Sequence, residues 1–453
     1  MAAERLGKEI TTQAGHEITD RRGWRRWRHP GRAMYGAVAV LLAVLATGGW
    51  SGGSAAGGAR HAGGAGLQAS LSRELGHYLA TRGQAEHISV VSLRVSFRGG
   101  KRAIDLAVGT TRYGGGARLS PGALWQIGSN TKAFTSVLLL QLEAEGKLSI
   151  SDTLGKWLPQ YPAWRHITIE RLLNMTSGIP DYYAQPAFQR AYAADPGRYF
   201  SAARLVSYAY AAGLPLQKGW NYSNTNYILA QMIIERAGHD SYSDQLRRRI
   251  IIPLRLQNLF YGPQALPAAV AARQPAGYFF DSSAPLFASL LGEQVPKLAL
   301  SSAQGAGAII SSLSDLTTWD RALYQGRELP GPQQRQLESL VSEKTGLPIK
   351  TTTPADPGFG LGVAQFTSPV TGTFWAYEGA TYGYRVEHIY LLSSGAVIAL
   401  AVNSATAAND DQLGPLGLAI YQILQKAGAL QGNYAPSGTS PGRSGASRRS
   451  ADR

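Results

Sequence analysis

A serine and a lysine, Ser129 and Lys132, stand three residues apart in the segment WQIGSNTKAFTSVLLLQL (125–142). On a helix, residues at i and i+3 share a face, so the lysine amine would lie beside the serine hydroxyl. A serine hydroxyl is a weak nucleophile near neutral pH, and a desolvated lysine with a lowered pKa can act as its base. The apolar run 137–140 would bury this helix and dry the site. By itself, the spacing equally fits a helix-capping serine followed by a surface lysine.

A second polar group, Tyr222-Ser223-Asn224, precedes an apolar helix that we predict to start near Thr225. A tyrosine beside a lysine can share its proton and act as general acid or base on the leaving group. The Asn224 amide can orient the lysine and a substrate carbonyl. Taken alone, these residues would also fit a Ser/Asn helix cap with a stacking tyrosine.

The third candidate segment is WAYEGATYGYR (375–385), which is typical of a strand that contains a glycine. Gly379 would let a substrate backbone lie close to this strand. The backbone N–H groups of Ala380 and Ser129 could together form an oxyanion hole.

These motifs resemble those of the serine β-lactamase and penicillin-binding-protein family, on the branch of class C β-lactamases, DD-peptidases and related esterases. Three further segments agree with the family pattern, in the right order: LLNMTSGIPDYY (172–183), GAGAIISSLSDLTTWDRAL (305–323) and FGLGV (359–363). The resemblance extends over residues 70–428, and the segments together are far more specific than any one of them.

The resemblance implies roles for four residues. Ser129 would be the acylated nucleophile and Lys132 its general base, Tyr222 would carry the proton to the leaving group, and Asn224 would complete the site. The implied fold is α+β, an antiparallel sheet flanked by helices with an inserted, mainly helical domain and the site in the cleft. The resemblance implies no metal and no cofactor.

The third motif departs from the family pattern. The family usually has Lys-Thr-Gly there, or His-x-Gly on this branch, whereas this chain has Tyr377-Glu378-Gly379. A tyrosine brings no positive charge near pH 7, so the group that helps position a substrate carboxylate is missing. Arg385 is a nearby residue that could supply the charge. Alternatively, Tyr377 is a core aromatic residue and Glu378 faces solvent.

We therefore expect a serine hydrolase that forms an acyl-enzyme and cleaves an ester or amide in a small or peptide-like substrate. Within the same class, DD-carboxypeptidase or β-lactamase activity is the alternative. From another class, the competing hypothesis is a binding or sensor domain that keeps the fold without turnover. The predicted substrate-binding residues are Asn224, Tyr377, Gly379 and Ala380.

Hydrophobic periodicity predicts the elements that position these residues. Helices are predicted at 69–82, with Leu71, Leu75 and Leu79 on one face, at 129–146, at 314–324 with Ser314 as N-cap, and at 412–427. Strands are predicted at 88–97, 104–108, 373–377, 384–392 and 396–402. Strands at both ends with helices between favour an α+β domain over 67–430. Its sheet part would be 67–165 and 305–430, and its helical part 166–304.

The 453 residues carry 44 Lys+Arg and 29 Asp+Glu, a net charge of +15, and about half of the excess lies near the ends of the sequence. Six arginines between residues 21 and 32 precede the apolar stretch 33–50, and a Gly/Ala-rich linker follows it up to 66. This order predicts an export signal or an N-terminal membrane anchor, which would place the domain in the periplasm, outside the cell or on the outer side of the inner membrane. The segment 431–453 lacks an apolar pattern and is predicted to be disordered.

Composition excludes several other chemistries. With 0 Cys, there are no disulfides, thiolate zinc sites, iron–sulfur clusters or cysteine nucleophiles. The 8 histidines show no H-E-x-x-H motif or clustered spacing, so no metal site is predicted. The sequence has no Walker A motif and no dinucleotide fingerprint. Between residues 33 and 430 it has no basic run with interleaved aromatic residues, and the basic cluster before residue 33 is explained by export, so no nucleic-acid partner is expected. A G-x-S-x-G match at 49–53 lies within the export segment and lacks the strand and helix that this motif needs.

Overall fold

The computed structural model describes residues 64–431 except 121, 265, 284, 296–299 and 408. The predicted export segment, nearly all of the linker and the predicted disordered segment beyond 431 lie outside the described residues. No helix in the described part is both long and apolar enough to cross a membrane.

The helices of the described part are α1 (Gly64–Arg82), α2 (Thr131–Ala144), α3 (Leu154–Trp157), α4 (Ile169–Leu173), α5 (Pro186–Ala194), α6 (Ala202–Ala211), α7 (Asn224–Gly238), α8 (Tyr242–Leu246), α9 (Ile252–Leu254), α10 (Ala268–Ala271), α11 (Gln304–Gly307), α12 (Leu313–Tyr324), α13 (Gly331–Leu337) and α14 (Leu413–Lys426). The strands are β1 (Val90–Ser96), β2 (Ala103–Arg112), β3 (Gly115–Arg118), β4 (Trp125–Gln126), β5 (Leu259–Tyr261), β6 (Gly277–Phe280), β7 (Gln294–Val295), β8 (Ile309–Ser311), β9 (Leu340–Ser342), β10 (Pro348–Ile349), β11 (Gly358–Phe359), β12 (Ala364–Ser368), β13 (Gly372–Ala380), β14 (Arg385–Leu391), β15 (Val397–Val402) and β16 (Ser404–Thr406).

Ten strands of the described part form one antiparallel sheet in the order β10-β9-β11-β12-β13-β14-β15-β1-β2-β3. Because β15 pairs with β1, strands from both ends of the domain lie side by side within this sheet. Two small sheets, β16-β6-β7 and β4-β8-β5, complete the topology of the described residues. The predicted α+β fold with a large antiparallel sheet and helices is confirmed, while the predicted boundary between sheet part and helical part stays a prediction.

Helices cover both faces of the sheet, and the alternation of side chains along β14 separates the two faces. On one face, Glu387 and Ile389 lie against Gly417 of α14. On the other face, the His388 ring bonds to the Tyr324 hydroxyl of α12. The candidate catalytic residues lie on the α12 side, because Tyr377 of β13 is directly opposite His388 in the strand register.

The cap of α12 differs from the prediction. Ser312, not Ser314, is the N-cap, and its hydroxyl accepts a hydrogen bond from the Asp315 backbone N–H. Both serines precede the apolar periodicity, but only Ser312 has the extended backbone that a cap residue needs. The helix consequently begins at Leu313, one residue earlier than predicted.

The proposal that Arg385 supplies charge to the site is wrong. Its guanidinium lies on the α14 face of the sheet, 1% exposed, and is paired with Glu86 at 2.6 Å and with Asp411. Its Nε also donates to the Ser404 carbonyl oxygen at 2.9 Å. Arg385 and His388 are three positions apart on β14. Because side chains alternate between the two faces of a sheet, these two point to opposite faces.

Glu378 is also placed differently from the solvent-facing position considered for it. It points to the same face as Arg385, is only partly exposed, and lies next to Asp411. Burial and the Asp411 carboxylate raise the pKa of Glu378 well above its usual range. Arg385 thus serves as the positive centre of a buried acidic cluster.

We expect Arg385→Leu to lower the free energy of unfolding by about 3–5 kcal/mol, because it leaves the Glu86 and Asp411 carboxylates buried without their partner. Urea unfolding followed by circular dichroism measures the change. The matched control is Lys156→Met, which breaks the exposed pair with Asp152 and should cost about 1 kcal/mol or less. Equal losses in the two variants would contradict the structural role of Arg385.

Candidate active site

The candidate nucleophile lies in a tight turn between β4 and α2. Residues Gly128–Asn130 form one turn of 3₁₀ helix, and α2 continues from Thr131. Gly128 has φ of 50°, and a Cβ atom there would lie 2.6 Å from the Ala380 carbonyl oxygen. Only glycine fits both the backbone angle and the close approach of β13. The turn leaves Ser129 half-buried at the surface of the cleft, while the helix behind it is buried.

Lys132 is fully buried and lies one turn after Ser129. Its Nζ is 2.9 Å from Ser129 Oγ, from Asn224 Oδ1 and from the Ala306 carbonyl oxygen. Burial lowers the pKa of Lys132 to about 7, against an opposing effect of the Asp181 carboxylate. A neutral amine has two N–H groups, which donate to Asn224 and Ala306. Its lone pair then faces Ser129, whose hydroxyl can donate to it, as a general base requires.

Tyr222 approaches Ser129 from the other side. Its hydroxyl donates to Ser129 Oγ at 2.7 Å, and the Lys132 Nζ lies 4.8 Å from the centre of its ring. Burial raises the pKa of Tyr222 well above 10, so the side chain keeps its proton at neutral pH. The serine oxygen therefore has a proton acceptor on one side and a phenol on the other.

The β13 strand closes the site. Tyr377 is buried, and its hydroxyl donates to the Tyr222 hydroxyl at 3.5 Å, so its side chain points toward the site. A Cβ atom on Gly379 would lie 2.0 Å from the Ile127 carbonyl oxygen and 2.6 Å from the Ser129 backbone nitrogen. The strand backbone can pack this close to the nucleophile only where there is no side chain. The next residue, Ala380, is half-buried, and its backbone lies against Gly128 in the turn that carries Ser129.

The structure brings all seven predicted site residues together. Ser129, Lys132, Tyr222 and Asn224 form one connected hydrogen-bond network. Tyr377, Gly379 and Ala380 lie along the strand beside it. In the described part of the chain, no group of His, Asp and Glu side chains is arranged to hold a metal ion.

One residue of the network was missed by sequence reasoning. Asp181 accepts hydrogen bonds from the Asn224 backbone nitrogen at 3.2 Å and from Asn224 Nδ2 at 3.1 Å. It also accepts from the Tyr183 backbone nitrogen at 3.1 Å. The Asn224 amide is thereby oriented with its oxygen toward Lys132. The only sequence signal was that this aspartate belongs to the LLNMTSGIPDYY segment (172–183). Its burial and its interaction with the buried Lys132 are visible only in the structure.

We expect the acylation rate to rise with pH and level off above about 7, because only the neutral Lys132 amine can accept the serine proton. Asp181→Asn removes a negative charge that stabilises the protonated lysine, so the midpoint of the pH profile should move to lower pH. The profile of kcat/KM with an uncharged ester measures both effects.

The matched control for this profile is Asp240→Asn, an exposed carboxylate whose partner is Arg248, and it should leave the midpoint unchanged. A flat profile between pH 5 and 9 would exclude Lys132 as the base. A midpoint in Asp181→Asn equal to that of the wild type would exclude an electrostatic effect of Asp181.

Comparison with known proteins yields consistent matches. The family model described as Beta-lactamase matches residues 75–422. The chain is 31% identical over 272 residues to Penicillin-binding protein 4* of Bacillus subtilis. The aligned residues make up 59% of this chain and 57% of that protein. The chain thus spans just over half the length of that relative.

Solved structures match over most of the chain. A D-stereospecific amidohydrolase from Streptomyces sp. has a TM-score of 0.64 and 27% identity, covering 80% of this chain and 99% of that one. A D-amino acid amidase from Ochrobactrum anthropi has a TM-score of 0.66 and 22% identity, covering 80% and 98%. The second likeness concerns the fold alone.

Proposed function

The chain belongs to the beta-lactamase family, and on that premise we propose that it cleaves an ester or amide bond through an acyl-enzyme on Ser129. It is a serine hydrolase of that family. The observation that carries the proposal is the position of Ser129 Oγ between the Lys132 amine at 2.9 Å and the Tyr222 hydroxyl at 2.7 Å.

In the proposed acylation step, the Lys132 amine takes the proton from Ser129 as its oxygen attacks the substrate carbonyl. The developing oxyanion is held by the backbone N–H groups of Ser129 and Ala380. Tyr222, which is protonated at neutral pH, gives its proton to the leaving group and is reprotonated from Lys132. The bond from the carbonyl carbon to the leaving group breaks, and the acyl group stays on Ser129.

Deacylation uses the same groups with water in the place of the leaving group. Water passes one proton through the Tyr222 hydroxyl to the neutral Lys132 amine, and the hydroxide that forms attacks the acyl carbon. The bond between the acyl carbon and Ser129 Oγ then breaks, the proton returns to Ser129 Oγ, and the acid product leaves. This symmetry requires that Lys132 be neutral at the start of each half-reaction.

For the substrate, we infer an ester or amide that carries no carboxylate beside the scissile bond. Tyr377 stands in the third motif without a positive charge, and Arg385 is held on the far face of the sheet by Glu86 and Asp411. The likeness to a D-stereospecific amidohydrolase supports amides of D-configured acyl groups as a substrate class.

A second candidate is DD-carboxypeptidase or β-lactamase activity. It is supported by 31% identity to Penicillin-binding protein 4* of Bacillus subtilis. The arginine-rich, apolar start of the sequence supports the further proposal that the domain works outside the cytoplasm.

Intact-mass measurement after treatment with a fluorophosphonate tests the nucleophile. We expect one adduct on the wild type and none on Ser129→Ala. The matched control is Ser223→Ala. The Ser223 hydroxyl, next to Tyr222 in the sequence, is buried and makes no hydrogen bond in the described part of the chain. This variant should be labelled like the wild type. An adduct that survives in Ser129→Ala would refute the nucleophile assignment.

Parallel assays separate the substrate classes. Fast turnover of a p-nitrophenyl ester or a D-alanine anilide, with no lasting penicillin adduct, is expected. A penicillin adduct that is released slowly would favour the DD-peptidase alternative, and rapid penicillin turnover would favour the β-lactamase.

A further inference from the structure

The residue after the nucleophile, Asn130, is tied to the central sheet. Its Nδ2 donates to the Ile127 carbonyl oxygen and to the Val386 carbonyl oxygen, both at 2.9 Å. The first bond closes the turn that carries Ser129, and the second fixes that turn to β14. A Cβ atom on Gly379 would lie 2.8 Å from the same Nδ2, so β13 is packed directly on this amide.

A buried histidine on β14 holds the other end of the Asn130 amide. His388 Nδ1 is 2.7 Å from Asn130 Oδ1, and its Nε2 is 2.8 Å from the Tyr324 hydroxyl. Both Nδ2 protons of Asn130 are already donated, so its Oδ1 is the acceptor and His388 Nδ1 must carry the proton. Nε2 then accepts from Tyr324. The geometry thus selects one neutral tautomer.

The surroundings of the imidazole keep it neutral. Burial lowers the pKa of His388 to about 3. Asp320 of α12 lies 3.6 Å from Nδ1, beyond hydrogen-bond distance, and burial raises its pKa well above the usual range. The Asp320 carboxyl oxygens have no hydrogen-bond partner in the described part of the chain. The ring therefore acts as a fixed donor to Asn130.

We propose that His388 is a positioning residue, which holds the Asn130 amide and through it fixes the Ser129 turn against β13. The inference rests on the proposed function, because it assigns His388 to the acyl-transfer site. What it fixes is the relative position of the two N–H donors of the oxyanion hole, on Ser129 and Ala380. Neither His388 nor Asn130 contacts the reacting atoms in this arrangement.

Loss of such a support acts on the transition state more than on substrate binding. A displacement of about 1 Å at a reacting group can cost about 100-fold in rate. The hydrogen bonds of an oxyanion hole are strongest to the developing charge, so their misplacement lowers kcat and leaves KM nearly unchanged.

A pair of His388 variants tests the positioning role. In His388→Asn, the side-chain nitrogen is as many bonds from the backbone as Nδ1, so the donor to Asn130 can be kept. In His388→Leu, the donor is lost at similar volume. We expect His388→Leu to lower the rate constant of acylation by a p-nitrophenyl ester 30- to 100-fold. The ester concentration that gives half the maximal acylation rate, which is the KM of this step, should stay within twofold of the wild type. His388→Asn should be acylated at least tenfold faster than His388→Leu.

A stability-matched variant separates positioning from general damage. Asn403 is buried just after β15, and its amide bonds to Ser89 and Ala276 and not to His388 or Asn130. Asn403→Ala should lower the unfolding midpoint but not the acylation rate of the folded protein. Equal rate losses in Asn403→Ala and His388→Leu, or equal losses in the two His388 variants, would overturn the proposal.

Two further measurements keep the outcome decisive. If His388→Leu does not fold, Asn130→Ala takes its place, with the same expected fall in kcat and constant KM, and wild-type kinetics there would overturn the proposal. The fluorophosphonate reaction of the wild type is measured first. No adduct on Ser129 means that the proposed function has failed, whereas a normal adduct with unaffected variants means that only the positioning role has failed.

Discussion

Replacing Lys132 with methionine is expected to slow acylation of Ser129 by about 1,000-fold, the range for loss of a general base. Methionine fills a similar volume and carries no charge, so the buried site stays packed. What is lost is the lone pair that faces Ser129 Oγ at 2.9 Å. Stopped-flow measurement of the acylation burst with a p-nitrophenyl ester gives the rate. Circular dichroism shows whether the fold is kept.

Lys132→Arg is the informative companion of that variant. A guanidinium can still donate to Asn224 and Ala306, but it does not lose its proton at any useful pH. If the base role is correct, the arginine variant is as slow as the methionine variant although a positive charge is present. Activity in Lys132→Arg close to that of the wild type would indicate that the lysine acts by its charge instead. Lys156→Met, at an exposed position, should have no effect on the rate.

The contact between Ser129 and Lys132 was predictable because it is local. The spacing of three residues places both side chains on one side of a helical turn, and the apolar residues that follow bury the lysine. The contacts to Tyr222 and Asn224, some 90 residues away, do not follow from spacing. They were predicted through a resemblance to known motifs, and the fold then brings those residues to the same place.

Side-chain direction on the strands was the weakest part of the prediction. The run 384–392 was correctly recognised as a strand, but Arg385 was considered as a source of charge for the site and no role was assigned to His388. Their faces are set by the register between β13 and β14, which pairs Tyr377 with His388 and Ala380 with Arg385. A register depends on long-range pairing, so a single sequence does not reveal it.

Asp181, Asn130 and His388 were missed for a related reason. Each acts on a neighbour and not on the substrate, and each is a common residue type in an unremarkable position. Their roles appear only when the partners are known: the Asn224 amide for Asp181, and the Ile127 and Val386 carbonyl oxygens for Asn130. Buried polar residues in the sheet and in the turn before a predicted nucleophile are therefore worth examining first when such a sequence is interpreted.

Tyr222→Phe is expected to lower kcat for an amide substrate by about 100- to 1,000-fold, because the variant has no proton for the leaving amine. The effect should depend on the leaving group. A p-nitrophenolate leaves without protonation, so the burst of acylation by the corresponding ester should slow by about tenfold or less. The comparison of a D-alanine anilide with a p-nitrophenyl ester of the same acyl group measures this difference directly.

Tyr227→Phe is the control for the loss of a buried phenol near the lysine. The Tyr227 hydroxyl donates to the Leu173 carbonyl oxygen at 2.7 Å, and its ring centre lies 5.5 Å from Lys132 Nζ, but the hydroxyl makes no bond to Ser129. This variant should affect both substrates equally and weakly. If Tyr222→Phe slows ester and anilide by the same factor, the tyrosine only orients Ser129 Oγ, and the proton of the leaving group must come from Lys132. If only the anilide is slowed, the two residues have separate roles: Lys132 accepts the proton of Ser129, and Tyr222 donates a proton to the leaving group.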